Sequence, residues 1–434
     1  MIDNAIVKRA YYKIEVESIS PLATSSGERE LTDSDLLRNA DGICFVPGTS
    51  LAGAFRNALK LEKKSKGIMG FSDGEDGKMS GIYISDLYFN QNNERPIIIS
   101  VRDGVQLEKR VVNEKFDMEI VETGVKGFIF INYIVRSTES EDEYRESINK
   151  IIAKISSGDI RIGGNKNRGF GRLKVISIQI SVFNRENVEE YIEFKNTFKD
   201  SKSKYQIEKK YDEWIKDCGD IDTDYVWVTV PLKLTGGISI RRYSTIPGKA
   251  NYSHITCNGK PVIPGTSWNG AIRSEANKIL KSLGCNQKQT SELIDDWFGS
   301  IKKSNDDSNI HQSRIVISES ILENSKPLPM TRNRINRFDA STRDGALYSE
   351  ISYFGGTTNL EIGVMKKDIE VCFEILGIIN LIVNGIQNGY ISVGGQTAVG
   401  RGIFEANGDI KYSENILDRS NSALYNRIKE TICK

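Results

Sequence analysis

The sequence predicts an α+β protein built from two tandem copies of one domain. Three observations support this. Four sequence blocks occur twice in the same order, short alternating apolar runs predict strands, and each copy contains two longer segments with helical periodicity. Antiparallel strands mixed with two helices are typical of a ferredoxin-like, RRM-type sheet. We therefore expect two such domains in tandem, with loop insertions.

The repeated blocks keep their order and nearly constant spacing. The clearest reads FVPGTSLAGAFRNALK in the first copy and VIPGTSWNGAIRSEAN in the second. A strand-like block follows, then a block whose last strand carries Glu119 or Glu350, then a Gly-rich loop. The four pairs are 45–60 and 262–277, 80–89 and 313–322, 101–121 and 331–352, and 160–175 and 391–406. A duplicated domain explains this arrangement.

Each copy is expected to run from a first strand through a loop into a helix that the Pro-Gly-Thr-Ser turn opens. Further strands, a second helix and a last strand after the Gly-rich loop complete it. The second helices are predicted at 143–158 and 368–385, each ending in a glycine that suits a C-cap. The polar segment 201–224 predicts a linker between a first domain at 1–200 and a second at 225–434.

Composition excludes several classes of protein. A chain of 434 residues with 38% hydrophobic and 27% charged residues is typical of a soluble multidomain protein. It lacks a run of 18 apolar residues, and its N-terminus predicts a strand rather than a signal peptide, so we expect a cytoplasmic protein. Six cysteines without CxxC spacing indicate free thiols and no zinc site. A net charge of +1 argues against broad DNA binding but allows one basic groove.

The Pro-Gly-Thr-Ser turn is a candidate anion site. Pro-Gly breaks the chain, and Thr-Ser is predicted to cap the following helix, whose first N–H groups favour a phosphate. The candidate residues are Ser50 and Ser267 in the turns, with Arg56 and Arg273 two turns further along. An ordinary capped helix is the alternative.

The Gly-rich loops are the second candidate. Closely spaced glycines let a backbone approach a ligand closely, and basic side chains beside them can neutralise phosphates. The candidates are Gly163, Gly164, Lys166 and Arg168 in the first loop and Gly394 and Gly395 in the second. A tight turn between helix and strand is the alternative. The spacing is that of neither a P-loop nor a dinucleotide fingerprint, so no organic cofactor is expected.

The two Pro-Gly-Thr-Ser blocks, the two Gly-rich loops and NRINRFDASTRDGALYSE at 333–350 together resemble the RAMP superfamily of CRISPR-associated proteins. The resemblance covers about 1–178 and 225–410. The middle blocks look most like fused backbone subunits of type III effector complexes, which serve antiviral defence. This resemblance implies RRM-like RAMP domains that hold a CRISPR RNA. It also implies complementary target RNA and other effector subunits as partners, and no membrane.

The resemblance also implies a place for target-RNA cleavage. In similar subunits, a loop between the first strand and the Pro-Gly turn holds an essential aspartate, which can orient a 2′-hydroxyl or hold a divalent metal such as Mg²⁺ or Mn²⁺. Here that loop spans 25–42, and the pattern falls on Asp33, with Asp35 as runner-up. A surface-loop acid or a helix cap is the alternative. The chain is thus either an RNA-guided endoribonuclease subunit or a non-catalytic RNA-binding scaffold.

The corresponding loop of the second copy departs from this pattern. It spans 239–260 and contains no Asp or Glu, which puts cleavage by the second domain in doubt. Arg242 and His254 are candidate RNA contacts there, and a histidine can also act as an acid or base or be structural. His311, the other histidine, is expected in solvent.

Overall fold

The structure is a computed structural model of the chain. It describes residues 5–27, 32–61, 65–73, 76–89, 97–108, 111–200, 203–219, 221–243, 250–300, 312–343, 345–414 and 417–433. His311 lies outside the described residues. The chain divides into two compact units, the first comprising Met1–Lys166 and Phe170–Thr223 and the second Asn167–Gly169 and Asp224–Lys434. Each unit has its own hydrophobic core.

The first unit combines a large antiparallel sheet with helices. Its strands are β1 (Ile6–Ser18), β2 (Phe45–Val46), β3 (Phe71–Asp73), β4 (Asp76–Lys78), β5 (Ile82–Ile84), β6 (Leu87–Phe89), β7 (Ile99–Glu108), β8 (Val111–Val121), β9 (Lys126–Arg136), β10 (Leu173–Phe183) and β11 (Ile207–Lys210). Its helices are α1 (Gly48–Leu61), α2 (Ser65–Met69), α3 (Glu141–Ser157), α4 (Val188–Lys195) and α5 (Tyr211–Asp217).

The second unit repeats the plan. Its strands are β12 (Tyr225–Thr235), β13 (Gly237–Ile238), β14 (Arg241–Tyr243), β15 (Tyr252–His254), β16 (Thr256–Cys257), β17 (Lys260–Ile263), β18 (Ile315–Ile317), β19 (Ser320–Ile321), β20 (Lys326–Arg332), β21 (Tyr348–Phe354), β22 (Thr357–Met365), β23 (Ile403–Ala406) and β24 (Lys411–Tyr412). Its helices are α6 (Gly265–Ser282), α7 (Gln287–Phe298), α8 (Ile369–Gln387) and α9 (Leu417–Cys433).

Both central sheets have the ferredoxin-like strand order. The order is β11-β10-β1-β9-β6-β2 in the first unit and β18-β22-β12-β23 in the second, so in each the first strand lies between the last and the third strand of the motif. Alternation fixes the buried face, since Ala10, Tyr12, Ile14 and Val16 of β1 all lie in the core. The α+β class predicted from the sequence is confirmed.

Two predicted boundaries differ from the structure. The segment 201–224, predicted as a linker, supplies β11, which pairs with β10, and α5, whose Trp214 is buried in the first core. Gly158 does cap α3 in the left-handed region, as predicted. Helix α8, however, continues past Gly385 to Gln387. A Cβ on Gly385 would lie 2.8 Å from Cδ1 of Ile391, so this glycine serves close packing rather than capping.

Helix α8 is the one described helix that is long and apolar enough to cross a membrane. Ten of its residues are buried, and nine of these, including Ile375, Ile379 and Ile382, belong to the second core. It packs against α9 and carries Cys372, whose pKa burial raises to about 11. This packing is that of a core helix rather than a membrane span.

Candidate nucleic-acid interface

The Pro-Gly-Thr-Ser turns start α1 and α6 in the same way. The N–H of Ser50 donates to Pro47 O (2.9 Å), and the N–H of Ser267 donates to Pro264 O (2.9 Å). The N-cap of α6 is Pro264, which makes no side-chain cap, and the Thr-Ser pairs lie within the first turns. The prediction that Thr-Ser caps these helices is therefore wrong.

Glycine is required at both helix starts because each packs tightly against the end of a strand. A Cβ on Gly48 would lie 2.7 Å from Ile84 O, and one on Gly265 would lie 2.4 Å from Ile317 O. The N–H of Gly48 also donates to Oδ1 of Asp86 (2.7 Å). The chain's own carboxylate thus already occupies part of the anion site at the start of α1.

The first Gly-rich loop is held by backbone hydrogen bonds. The N–H of Ile162 donates to Gly171 O (2.8 Å), and the N–H of Gly164 donates to Ala23 O (2.6 Å). A Cβ on Gly163 would lie 2.5 Å from the same Ala23 oxygen. These glycines therefore pack against their own chain.

A 3-10 turn forms the exposed part of this loop. It spans Lys166–Arg168, directly after Asn165, whose φ of 53° lies in the left-handed region. Lys166 and Arg168 are both exposed. The loop thus presents basic side chains, while its glycines shape the backbone beneath them.

The second Gly-rich loop repeats the backbone but not the charge. The N–H of Val393 donates to Gly402 O (2.9 Å), and the N–H of Gly395 donates to Ser239 O (2.8 Å). A Cβ on Gly394 would lie 3.0 Å from Ile240 Cγ1. Its 3-10 turn is Thr397–Val399, without a basic residue.

Arg56 and Arg273 make equivalent structural contacts. Nη1 and Nη2 of Arg56 donate to Gly70 O and Met69 O, both at 2.8 Å, at the end of α2. Arg273 donates to Gly299 O (3.3 Å) and to Oδ1 of Asp295 (3.1 Å) at the end of α7. The guanidinium groups thus hold the next helix in place, which is a structural role in place of the predicted contact with phosphate.

Replacing Arg273 with alanine is expected to lower the unfolding free energy of the second unit by roughly 1–2 kcal/mol, because two hydrogen bonds from a charged donor are removed. Chemical denaturation followed by tryptophan fluorescence measures this. Arg242→Ala is the matched control, since Arg242 is exposed on β14. Equal stability of Arg273→Ala and the control would contradict the structural role.

A buried glutamate anchors the loop after the first strand in each unit. Glu119 accepts from Arg38 through Nη1 and Nη2, both at 2.9 Å, and from the N–H of Leu36 (2.9 Å). The Arg38 hydrogen bond lowers the pKa of Glu119. Glu119 thus fixes the backbone of the loop that carries both candidate catalytic aspartates.

The second unit has a matching anchor. Glu350 is fully buried and accepts from Gln396 (2.8 Å) and Ser352 (3.0 Å), with Arg241 at 3.4 Å. Burial by itself would raise the pKa of Glu350, but the nearby Ser239 hydroxyl, the hydrogen bonds from Ser352 and Gln396 and the charge of Arg241 lower it overall.

Asp33 and Asp35 lie in different environments. Asp33 is exposed, and its Oδ2 accepts from the N–H of Asp117 (3.0 Å), while Asp117 Oδ1 accepts from the N–H of Asp33 (2.9 Å). Asp35 is buried, and its Oδ1 accepts from the N–H and the hydroxyl of Thr32, both at 2.8 Å. Asp33 is thus the accessible carboxylate, beside a second one from β8.

His254 does not fit a contact with RNA. It is 2% exposed, its Nδ1 accepts from the N–H of Ile240 (3.0 Å), and its Nε2–H donates to Val262 O (3.0 Å). Burial lowers its pKa to about 4. Both ring nitrogens are bonded to the backbone, so the role of His254 is structural, in place of the predicted RNA contact or acid–base role. Arg242 remains a candidate.

A family model of the RAMP superfamily matches residues 15–174 and 246–405, well over half of the chain. The chain belongs to the RAMP superfamily. The two matched regions make it a tandem, two-domain RAMP protein. Members of this superfamily are CRISPR-associated RNA-binding proteins, and this role applies to the chain. A search of curated proteins finds no match.

The second RAMP unit carries a basic hairpin within the repeated block 331–352. This hairpin was not predicted from the sequence to bind RNA. Beyond β20 and β21, the N–H of Arg343 donates to Arg334 O (2.9 Å), and Asp339 sets the turn by accepting from Ser341. Phe338 at the tip is 92% exposed. The sequence feature that indicates a basic surface here is the presence of four arginines within twelve residues: Arg332, Arg334, Arg337 and Arg343.

The RAMP units offer limited means to hold a metal. Within the described ranges, no three His, Cys, Asp or Glu side chains cluster. Asp33 and Asp117 bring two carboxylates together, and each has one oxygen engaged by a backbone N–H. Mg²⁺ commonly binds through one or two carboxylates plus substrate phosphates, so this donor set fits a cation that arrives with RNA.

Proposed function

We propose that the chain is a backbone subunit of a type III CRISPR effector complex, in which each RAMP unit holds one segment of the CRISPR RNA. The observation that carries this proposal is the repeated Gly-loop backbone, with exposed basic side chains in both units. These are Lys166 and Arg168 on the first Gly-rich loop, of which Lys166 belongs to the first unit, and Arg242, Arg334, Arg337 and Arg343 in the second unit. Phosphate contacts of this kind position RNA without reading its sequence.

We further propose that the first unit cleaves target RNA at Asp33. Its carboxylate would accept the proton of a 2′-hydroxyl, whose oxygen attacks the adjacent phosphorus and expels the 5′-oxygen of the next nucleotide, which takes up a proton from water. The products are a 2′,3′-cyclic phosphate and a 5′-hydroxyl. In the alternative role, Asp33 and Asp117 would together hold a Mg²⁺ or Mn²⁺ ion that arrives with the RNA, and the ion would neutralise the phosphate charge. The accessible position of Asp33 and the acid-free loop 239–260 support this assignment.

A non-catalytic scaffold is the second candidate function. The reciprocal hydrogen bonds between Asp33 and Asp117 favour it, because they give Asp33 a structural role: they attach the loop to β8. In that case cleavage occurs elsewhere in the complex or not at all. RNA binding by both units is common to the two candidates.

The triple variant Lys166→Ala, Arg168→Ala, Arg242→Ala is expected to bind single-stranded RNA roughly 10-fold more weakly at moderate salt. The slope of log affinity against log salt should fall by about one for each phosphate-binding side chain removed. Fluorescence anisotropy over a salt series measures both quantities. Lys278→Ala with Lys288→Ala is the matched control, since both lysines are exposed on α6 and α7. An unchanged slope in the triple variant would refute the proposed role of these side chains.

A further inference from the structure

The face of the first sheet opposite the core carries a row of aromatic side chains. The strand register pairs Phe45 with Tyr88 and Tyr88 with Phe128, and side chains of paired residues point to the same face. Phe45 and Tyr88 are stacked, with ring centroids 5.4 Å apart and an angle of 14° between the rings. The alternating neighbours Leu87 and Ile129 are buried in the core on the other face.

The row continues along β9 to a small cavity. The ring of Phe130 lies 6.3 Å from that of Phe128. A cavity of about 200 Å³ is lined by Phe130, Tyr83, Asn132 and Lys199, among others. Tyr83 pairs with Asn132 across β5 and β9. Among the described residues, none hydrogen-bonds to the side-chain amide of Asn132, so its donor and acceptor are available to a ligand.

Cations lie directly beside these rings. Nζ of Lys13 is 4.5 Å from the ring centroid of Phe128, and Nζ of Lys199 is 6.0 Å from that of Phe130. Glu15 pairs with Lys126 (3.6 Å), whereas Asp86 keeps its charge beside Tyr88, where it accepts from the N–H of Gly48 and from the Tyr88 hydroxyl (3.4 Å). The cations offered to a ligand are therefore Lys13 and Lys199, at the Phe128 and Phe130 end of the row.

The chain itself covers only part of this face. Around β10 and β1, Tyr11 and Phe183 pack under Phe194 of α4. Phe198 then meets Phe130 edge-on at 5.9 Å. Beyond that contact, Tyr83 is 44% and Tyr88 is 45% exposed. Two exposed aromatic rings therefore remain on a face that has lysines at its border.

We propose that this aromatic face, formed by Phe45, Tyr83, Tyr88, Phe128 and Phe130, binds single-stranded nucleic acid by base stacking. It is a second site, separate from the Gly-rich loops of the proposed function, and it does not depend on them. Aromatic platforms with adjacent cations bind single strands with little sequence preference, since every base has a π-face. A protein partner would need the apolar rings but not the lysines or the open Asn132 amide.

The test uses the purified full-length chain and fluorescein-labelled oligouridine in an anisotropy titration. Tyr83→Ala with Tyr88→Ala is expected to weaken binding at least about 5-fold, from the loss of base stacking. Tyr83→Phe with Tyr88→Phe keeps both rings and should bind like the parent. Tyr425→Ala is the matched control, since Tyr425 is 67% exposed on α9 of the other unit. The salt slope should stay unchanged, unlike that of the Lys166 and Arg168 variants.

Photocrosslinking with 4-thiouridine RNA provides a second readout that does not depend on variant folding. Crosslinks on peptides containing β5, β6 or β9 would support the site. Parental affinity in the double alanine variant, with crosslinks confined to other peptides, would overturn it. So would intact RNA binding together with loss of association with a neighbouring subunit, which would make the face a protein interface. In either case the proposed RNA binding by the Gly-rich loops is tested separately, by the Lys166→Ala, Arg168→Ala, Arg242→Ala variant.

Discussion

Asp33→Ala is expected to slow cleavage of a complementary target RNA by about 100-fold or more, while binding of guide and target stays intact. The reason is that a positioned proton acceptor typically contributes at least this factor, whereas removing one negative charge does not weaken binding of an anion. The assembled complex, incubated with labelled target RNA and Mg²⁺, gives the rate from product bands on a gel. The position that faces the first unit is the one to be measured.

Two further variants separate chemistry from folding at this loop. Asp33→Asn keeps an oxygen that can accept from the N–H of Asp117, so the hydrogen bond between the loop and β8 is kept while the charge is removed. Asp41→Ala is the matched control, since Asp41 is an exposed acid of the same loop. We expect Asp33→Asn to cut as slowly as Asp33→Ala and Asp41→Ala to cut like the parent. Parental cleavage by Asp33→Asn would establish the scaffold role instead.

The second large effect is expected in the pH dependence of stability. Burial lowers the pKa of His254 from 6.5 to about 4. Between these values the unfolded chain binds a proton that the folded chain does not, so the stabilisation by neutral His254 is complete above about pH 6.5 and is lost as pH falls. The loss approaches about 3 kcal/mol near pH 4, at about 1.4 kcal/mol per pKa unit. Chemical denaturation followed by tryptophan fluorescence measures it.

A difference experiment isolates this contribution. Glu374 on α8 has the opposite sign, because burial raises its pKa to about 7 and its protonation stabilises the folded state as pH falls. Stability curves of the parent and of His254→Gln share that contribution. The variant should be less stable near pH 7 and should lose less stability between pH 6.5 and 4. Parallel curves would show that His254 is not held neutral by the fold.

The fold was predictable because its signals are local. Gly171 and Gly402 illustrate this, since both have positive φ, and a Cβ would lie 2.0 Å from Ile162 O or 1.8 Å from Val393 O. Only glycine fits such a position, so the repeated loop is visible directly in the sequence. Alternating apolar residues likewise fixed the buried faces of the long strands.

The hydrogen-bond partners of polar side chains were less predictable. Arg56 was predicted to contact phosphate, but it donates to Met69 O and Gly70 O. The position of these acceptors depends on the packing of α2, which cannot be predicted from the residues next to Arg56. His254 lies in a polar stretch of sequence, which predicts exposure, yet it is buried and both ring nitrogens are hydrogen-bonded to the backbone. The aromatic row was not predicted because Phe45, Tyr88 and Phe128 meet only through strand register.

The closed backbone of the first Gly-rich loop has a thermodynamic consequence. Its hydrogen bonds at Ile162 and Gly164 are joined by Arg161, which is 5% exposed and donates from Nη1 to Lys166 O (3.4 Å). The loop is thus preorganised, and the conformational entropy of its backbone is lost when the protein folds. On association, the remaining entropic cost in this loop is that of immobilising side chains such as Lys166, about 0.5–1.5 kcal/mol each.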